Sequence, residues 1–327
     1  MRAIRIERTG GAEVLEHVEI DDPGAPGPGE VRVRHHACGI NFVDVYHRIG
    51  LYPVQLPAVL GTEGAGVVEA VGPGVTHVAP GDRVAYASTK VGSYAEVCNV
   101  PAIPVARLPD SIDFARGAAM MLKGLTVQYL LRRTRPQRPL APGDFLVWHA
   151  AAGGVGLIAC QWANALGYRL IATAGSDEKC ALALRHGAVH AINYREKDVA
   201  RRVRELTAGK GVAVVFDPVG KDTWESSLDC LEPLGLMVSF GNASGPVPPV
   251  ALGQLAQKGS LHVTRPTLGT HLATREAAQE MTDELFAMVG SGRIVIEEPR
   301  RYPLAAAADA HRDLESRATT GASVLVP

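Results

Sequence analysis

The sequence contains no C-x-x-C pair. Its five cysteines, Cys38, Cys98, Cys160, Cys180 and Cys230, are scattered and odd in number. That excludes a disulfide framework and a cysteine-built structural zinc site, and reduced, buried thiols are expected. An excess of one charge is also missing: 33 basic residues face 34 acidic ones, for a net charge of −1. With no basic run either, nucleic acid is not expected as the main partner, nor an acidic membrane surface. No apolar run reaches the roughly 18 residues that a membrane span requires, so no membrane insertion is expected. The start, Met1 to Ile6, alternates like a strand and lacks the apolar stretch of a secretory signal. A cytoplasmic location is the expectation. No internal repeat or low-complexity segment is present.

What is there is enough for two cores. The chain has 327 residues, 46% of them hydrophobic and 20% charged, the make-up of a globular protein of two domains. The first hundred residues read as short strands punctuated by glycine and proline: Val31–Arg34, Gly66–Val71, Asp82–Tyr86 and Tyr94–Val97. Such spacing suggests a partly closed barrel, with one helix near Asn41 to Arg48. The texture then changes. Asp110 or Ser111 can cap a helix through Ala115–Leu122. A second amphipathic stretch, Thr126–Arg133, leads into a loop over 135–143. Strands and helices then alternate: strand Phe145–Trp148, helix Gly154–Leu166, strand Arg169–Thr173, helix Lys179–His186, strand Ala191–Tyr194, helix Val199–Leu206 and strand Ala213–Asp217. Leu236–Phe240 and Leu261–Thr264 complete a parallel, doubly wound sheet. A long helix, Thr274–Val289, and a last strand, Ser323–Val326, return the tail to the first domain.

One loop carries chemistry. Ala151-Ala152-Gly153-Gly154-Val155-Gly156 follows a strand and opens a helix, a dinucleotide fingerprint with alanine in place of its first glycine. Gly153 lets the backbone approach a pyrophosphate, and Gly156 lets the helix pack on the strand. The helix N-terminus offers N–H groups to phosphate. The end of the second strand decides between the two nicotinamide cofactors, because an acidic residue there grips an unphosphorylated ribose. Here it reads Thr173-Ala174-Gly175-Ser176-Asp177-Glu178-Lys179. Gly175 is small and uncharged, and Ser176 and Lys179 lie where a 2′-phosphate would arrive. Tyr194 could add a hydroxyl. Asp177 and Glu178 stand against this, but they can begin the following helix, where acids are favoured.

These segments resemble the medium-chain dehydrogenase/reductase superfamily over nearly the whole chain. The carriers are Gly61-Thr62-Glu63-Gly64-Ala65-Gly66, the run from Val71 to Val84, Lys123-Gly124-Leu125-Thr126, His149 to Gly156, and Leu314-Glu315-Ser316-Arg317. Within it, Gly39 to Tyr46, Gly50-Leu51-Tyr52-Pro53, Asn193-Tyr194-Arg195-Glu196 and Val238 to Asn242 resemble the bacterial quinone oxidoreductases related to zeta-crystallin. The resemblance implies an α/β protein with a GroES-like catalytic domain, residues 1–122 and 267–327, and a Rossmann domain, residues 123–266. It implies NADPH as cofactor, with contacts from Asn41, Thr126, Gly153, Gly154, Val155, Ser176, Lys179, Tyr194, Phe240, Gly241, Asn242, Arg265 and Arg317. Thr126 would sit near the nicotinamide and Arg317 near a phosphate.

Zinc-dependent members of the superfamily carry a cysteine, a histidine and an acidic residue at the metal. This chain has Asn41 at the cysteine position and Thr62 in place of histidine. An amide and a hydroxyl do not replace thiolate and imidazole, so no metal is expected. His35 and His36 neighbour each other on a strand and point to opposite faces. Without a Lewis acid to hold an alkoxide, the suitable acceptors stabilise charge themselves: quinones by becoming aromatic, enones by forming an enolate. Tyr46 and Tyr52 line such a pocket, donate a proton, or simply pack. The expectation is NADPH-dependent reduction of quinones to hydroquinones or semiquinones by a homodimer. The alternatives are an enone or enoyl reductase and an NADPH-binding structural or RNA-binding protein.

Overall fold

The computed structural model describes residues 1–134, 139–316 and 320–327. Two compact units emerge: Met1–Leu125 with His271–Gly290 and Ile296–Pro327, and Thr126–Thr270 with Ser291–Val295.

The first unit is mostly antiparallel β. Its longest strand, Glu30–Gly39, pairs with Glu63–Val71, with Val97–Pro101 and with the C-terminal strand Ser323–Val326. Alternation over Glu30–Gly39 puts Val31, Val33 and His35 inward and leaves Arg34 and His36 in solvent. A second, three-stranded sheet is centred on Arg2–Ile6. Ile4 and Ile6 of that sheet share one core with Cys38, Leu60, Tyr94 and Leu325. The helices Phe42–Arg48, Arg275–Gly290 and Ala307–Glu315 belong to the same unit.

The second unit holds a six-stranded parallel sheet in the order His190–Asn193, Arg169–Ala174, Phe145–Trp148, Val212–Asp217, Leu231–Ser239, His262–Thr264. Counted along the chain, that order is 3-2-1-4-5-6, the doubly wound arrangement in which dinucleotides bind beyond the strand ends. Val212–Asp217, in the middle of that order, is buried at every position and apolar up to Asp217.

Several elements differ from their sequence signals. The stretches Ala115–Leu122 and Thr126–Arg133 form one helix, Phe114–Arg133. Gly124 does not break it, because an added Cβ would stand 2.6 Å from a Leu285 methyl; close packing outweighs the roughly 1 kcal/mol propensity cost of glycine. Asp110 and Ser111 lie in the preceding turn, and Asp113 Oδ1 accepts the Arg116 amide at 2.9 Å instead. The strand expected at Tyr94–Val97 begins only at Val97. Tyr94 is drawn inward by its hydroxyl, and Ala95 makes a single bridge to Ala3. The strands expected to end at Tyr194 and Phe240 stop one residue earlier. Short helices at Trp224–Cys230, Gly253–Gln257 and Ala307–Glu315 went unforeseen. Of the expected loop over 135–143, residues 135–138 lie outside the described residues. Among the described residues, no helix is long and apolar enough to cross a membrane.

Candidate active site

In the second unit the fingerprint loop is built as its residues require. The strand Phe145–Trp148 leads into a turn in which Ala150 has φ 52°, a left-handed conformation that costs a non-glycine residue of order 1 kcal/mol. Gly153 then precedes the helix Gly154–Ala165 as its N-cap, with no capping side chain. The amides of the first helical turn therefore face outward without a side-chain acceptor, the arrangement that binds phosphate. An added Cβ on Gly156 would lie 2.5 Å from Ala151 Cα, whereas on Gly153 its nearest neighbour would be the Ala150 oxygen at 3.4 Å. Gly156 is therefore needed for packing, and Gly153 keeps open space in front of the loop.

Beneath this loop runs a buried polar row. Asp217, fully buried, accepts the amides of Val219 and Gly220 at 2.7 and 3.1 Å and the hydroxyls of Thr223 and Ser227 at 2.7 and 2.8 Å. Since Ser227 donates to Asp217, its oxygen accepts from His149 Nε2 at 3.0 Å, and His149 Nδ1 accepts from Thr173 at 2.9 Å. Burial pushes the His149 imidazole below its usual pKa and keeps it neutral. The row links the ends of three neighbouring strands and so holds the loop's base.

The second strand ends at Ala174. Beyond it, an added Cβ on Gly175 would meet the Tyr194 hydroxyl at 2.6 Å and Arg195 Nε at 3.6 Å. Ser176 caps the helix Asp177–Arg185 by accepting the Lys179 amide. Asp177 and Glu178, the acids that spoke for an unphosphorylated cofactor, occupy the first turn of that helix. Asp177 is engaged by the Asn193 amide at 3.1 Å. Beside these acids, the Tyr194 hydroxyl and the Arg195 guanidinium stand at the strand end, with Ser176 and Lys179 in the turn and helix that follow. At the fifth strand, Arg265 Nη1 donates to Ser239 Oγ and to the Gly241 carbonyl, both at 2.9 Å. With its amide turned to suit, Asn242 accepts from Arg265 Nη2 at 2.9 Å. That arginine braces the turn Phe240–Asn242. Arg317 lies outside the described residues.

In the first unit, Asn41 caps the helix Phe42–Arg48 through a capping box with Asp44. Its side-chain nitrogen donates to Glu63 Oε2 at 2.8 Å. The same oxygen accepts from Lys123 Nζ at 3.1 Å, and Leu122 N donates to Oε1 at 2.7 Å. Glu63 is fully buried, and Asn41 and Lys123 are 6% and 5% exposed. Tyr46 is buried and Tyr52 half-buried, their rings edge to face at 5.2 Å. The Tyr52 amide donates to the Tyr46 carbonyl at 3.0 Å. Thr126, buried, follows Lys123 by one turn of the long helix. Of the described site residues singled out in sequence, Asn41, Tyr46 and Tyr52 lie in the first unit and the others, Thr126 among them, in the second. Glu63, Lys123, Asp44 and Arg195 were missed as site residues. Lys123 carried a readable signal, a charge inside the apolar run Met120-Met121-Leu122-Lys123-Gly124-Leu125.

Comparison with known proteins bears on these residues. Residues 27–110 match the alcohol dehydrogenase GroES-like domain family, and residues 154–287 match the zinc-binding dehydrogenase family. The chain is 56% identical to a quinone oxidoreductase of Pseudomonas aeruginosa, over 100% of this chain and 99% of that one. It is 42% identical to a 2-haloacrylate reductase of Burkholderia, with 98% of each covered. Among solved structures, Escherichia coli quinone oxidoreductase complexed with NADPH superposes with a TM-score of 0.97 at 52% identity, covering 100% of both chains.

The second family's description carries a metal, and the donors here do not fit one. Asn41 turns an N–H toward Glu63, the Lys123 ammonium lies against the same carboxylate, and Thr62 donates its hydroxyl to Asp44 at 3.2 Å. A divalent cation would meet N–H groups and a positive charge in place of thiolate and imidazole.

Proposed function

The chain belongs to the quinone oxidoreductase family of the medium-chain dehydrogenase/reductase superfamily, and from that premise we propose that it reduces quinones with NADPH. Likeness over its whole length to quinone oxidoreductases carries this reading. When bound, NADPH supplies a hydride to the acceptor.

The second unit's residues suit that cofactor. The uncapped helix N-terminus behind Gly153, Gly154 and Val155 would take the pyrophosphate. Gly175, Ser176, Lys179 and Tyr194 would surround the 2′-phosphate, and Phe240, Gly241, Asn242 and Arg265 would flank the nicotinamide half. Asn41 and Thr126 would complete its contacts, and Arg317 would add a phosphate contact. A quinone would lie by Asn41, Tyr46 and Tyr52. It accepts hydride, becomes aromatic, and leaves negative charge on oxygen. A phenol has a pKa of about 10, so that oxygen takes its proton from water at neutral pH. We also propose that the working form is a cytoplasmic homodimer.

The 2-haloacrylate reductase relative supports a second reading, reduction of conjugated carbon–carbon double bonds. There the enolate carbon must be protonated before product forms, and a positioned acid contributes about 10²–10⁴-fold. Steady-state assays of quinones and enones with NADPH, in wild type and in Tyr46→Phe and Tyr52→Phe, separate the two. Quinone reduction predicts turnover within about tenfold of wild type in both variants. Turnover of enones alone, with one tyrosine variant down about a hundredfold, would replace the first reading by the second.

A further inference from the structure

Arg48, His311, Tyr94 and Asp44 form a continuous buried row in the first unit. Arg48 Nη1 lies 3.2 Å from His311 Nδ1, His311 Nε2 lies 3.1 Å from Tyr94 Oη, and Tyr94 Oη lies 2.9 Å from Asp44 Oδ2. None of the four is more than 1% exposed. Glu315 anchors the outer end, gripping Arg48 with both carboxylate oxygens at 2.8 and 2.9 Å.

The direction of this row is forced. A guanidinium only donates. His311 Nδ1 must therefore accept, and its proton sits on Nε2. That N–H donates to Tyr94, and the Tyr94 proton goes to Asp44. Asp44 also accepts from Asn41 N at 2.8 Å and from Thr62 Oγ1 at 3.2 Å. The Asn41 amide and the directed Tyr94 hydroxyl are fixed donors on Oδ2, and with Thr62 donating to Oδ1 the ionised carboxylate satisfies all three. On Oδ2 a protonated Asp44 finds no acceptor, because Arg48 fixes the tautomer that directs the Tyr94 proton to Asp44; a proton is accommodated only on Oδ1, where the Thr62 hydroxyl turns to accept it.

Burial opposes that ionised state. It pushes the Asp44 carboxyl up to about 7, with the nearby Glu63 carboxylate adding to the rise. The Tyr94 and Asn41 bonds and the Lys123 ammonium pull it down. The Cys38 thiol, close by, is itself pushed well up by burial. Burial, with the Arg48 charge adding to it, presses His311 down to about 3, so it stays neutral across the working range. Asp44 is thus balanced near neutrality, and what it holds is the Asn41 backbone at the start of the helix that carries Tyr46.

We propose that Asp44 is a positioning residue for the reaction and that Arg48, acting through His311 and Tyr94, holds it in the acceptor-only form that fixes Asn41. This rests on the reading that Asn41 belongs to the site. The test is the pH profile of kcat/KM for quinone reduction by NADPH in wild type, Tyr94→Phe, His311→Leu, His311→Gln and Asn41→Ala, with urea stability and NADPH affinity measured on each. Wild type should show an acid limb near neutrality. Tyr94→Phe should move it up by about one pH unit, the tenfold that one lost charge-assisted hydrogen bond brings, and His311→Leu should move it the same way by less, because Tyr94 keeps its bond to Asp44 and loses the donor that directs it. His311→Gln should leave it in place, because glutamine also accepts from Arg48 and donates to Tyr94. Tyr94→Phe keeps the ring and loses only the oxygen, so it decides the matter if His311→Leu does not fold. A flat wild-type profile overturns the proposal. So does a Tyr94→Phe limb coincident with wild type, or a His311→Gln limb displaced like that of His311→Leu. If those limbs coincide while Asn41→Ala is crippled, the inference alone fails. Wild-type turnover by Asn41→Ala removes Asn41 from the site and the inference with it.

Discussion

At the scale of single residues, cofactor choice rests on what surrounds one strand end. Gly175 leaves room for the Tyr194 hydroxyl, Ser176 caps the next helix, and Lys179 stands half-buried one turn along it. A lysine facing a doubly charged phosphate contributes on the order of 1–3 kcal/mol, roughly tenfold to a hundredfold in affinity. Lys179→Ala should weaken NADPH binding by that factor and leave NADH nearly unchanged, as fluorescence titration with each cofactor would read. Equal loss for both would mean that the lysine does not face the 2′-phosphate. The strand-end rule names Ser176 and Lys179, and the end of the third strand names Tyr194; whether they face the 2′-phosphate is what the titration reads. Arg195 was not legible, because only the turn after Asn193 swings its side chain back over Gly175.

At the scale of elements, the two fingerprint glycines have separable duties. A methyl at Gly156 would press on the Ala151 backbone at 2.5 Å, against atoms that cannot move aside, and would lift the helix off its strand. A methyl at Gly153, whose φ of −80° any residue adopts, meets nothing closer than 3.4 Å. Gly156→Ala should therefore lose about 1–3 kcal/mol of stability, as overpacked sites do, with cofactor affinity falling alongside. Gly153→Ala should unfold at the wild-type urea concentration yet bind NADPH at least about tenfold more weakly, because the methyl fills the space in front of the loop. Equal destabilisation by both substitutions would show that Gly153 too is there for packing. Elements with a sustained period were readable: the helix Val199–Leu206 and the strand Ser323–Val326 lie where their patterns put them. The merger of two stretches into Phe114–Arg133 was not, since the reason is Leu285, more than 150 residues away along the chain.

At the scale of the molecule, two properties follow from burial and from an open edge. His35 and His311 are buried and neutral, held down to about 4 and about 3 against an ordinary value of 6.5. Unfolding lets both take protons, so the stability they contribute is present above 6.5 and drains away as pH falls toward their folded values. Asp44 acts oppositely, losing stability as pH rises from 3.8 through about 7. Two histidines outweigh one aspartate between about 4 and 6.5, and stability should fall on acidification there. Chemical denaturation across that range would show a shallower fall in His35→Gln, and an unchanged slope would refute the assignment. One edge strand of the parallel sheet, His262–Thr264, pairs among the described residues on one side only, with Leu231–Ser239, and His262 and Val263 are exposed. Unpaired edges are covered or paired. Two such edges joined about a two-fold axis would make the proposed dimer. Light scattering at micromolar concentration should give twice the chain mass; a stable monomer would sink the proposal.

Local chemistry by itself determined the class of fold, the cofactor loop and the mismatch with zinc. Periodicity is a property of neighbours in sequence, a glycine loop must sit between a strand and a helix, and Asn41 and Thr62 lack the thiolate and imidazole that zinc takes, whatever surrounds them. The tertiary structure decided which polar groups face one another. Glu63 meets Lys123 and Asn41, His149 meets Thr173 and Ser227, and Arg48 meets His311 across more than 260 residues of chain. A buried charge is tolerated only where partners arrive from other elements, and no spacing rule along the chain says which partners those will be.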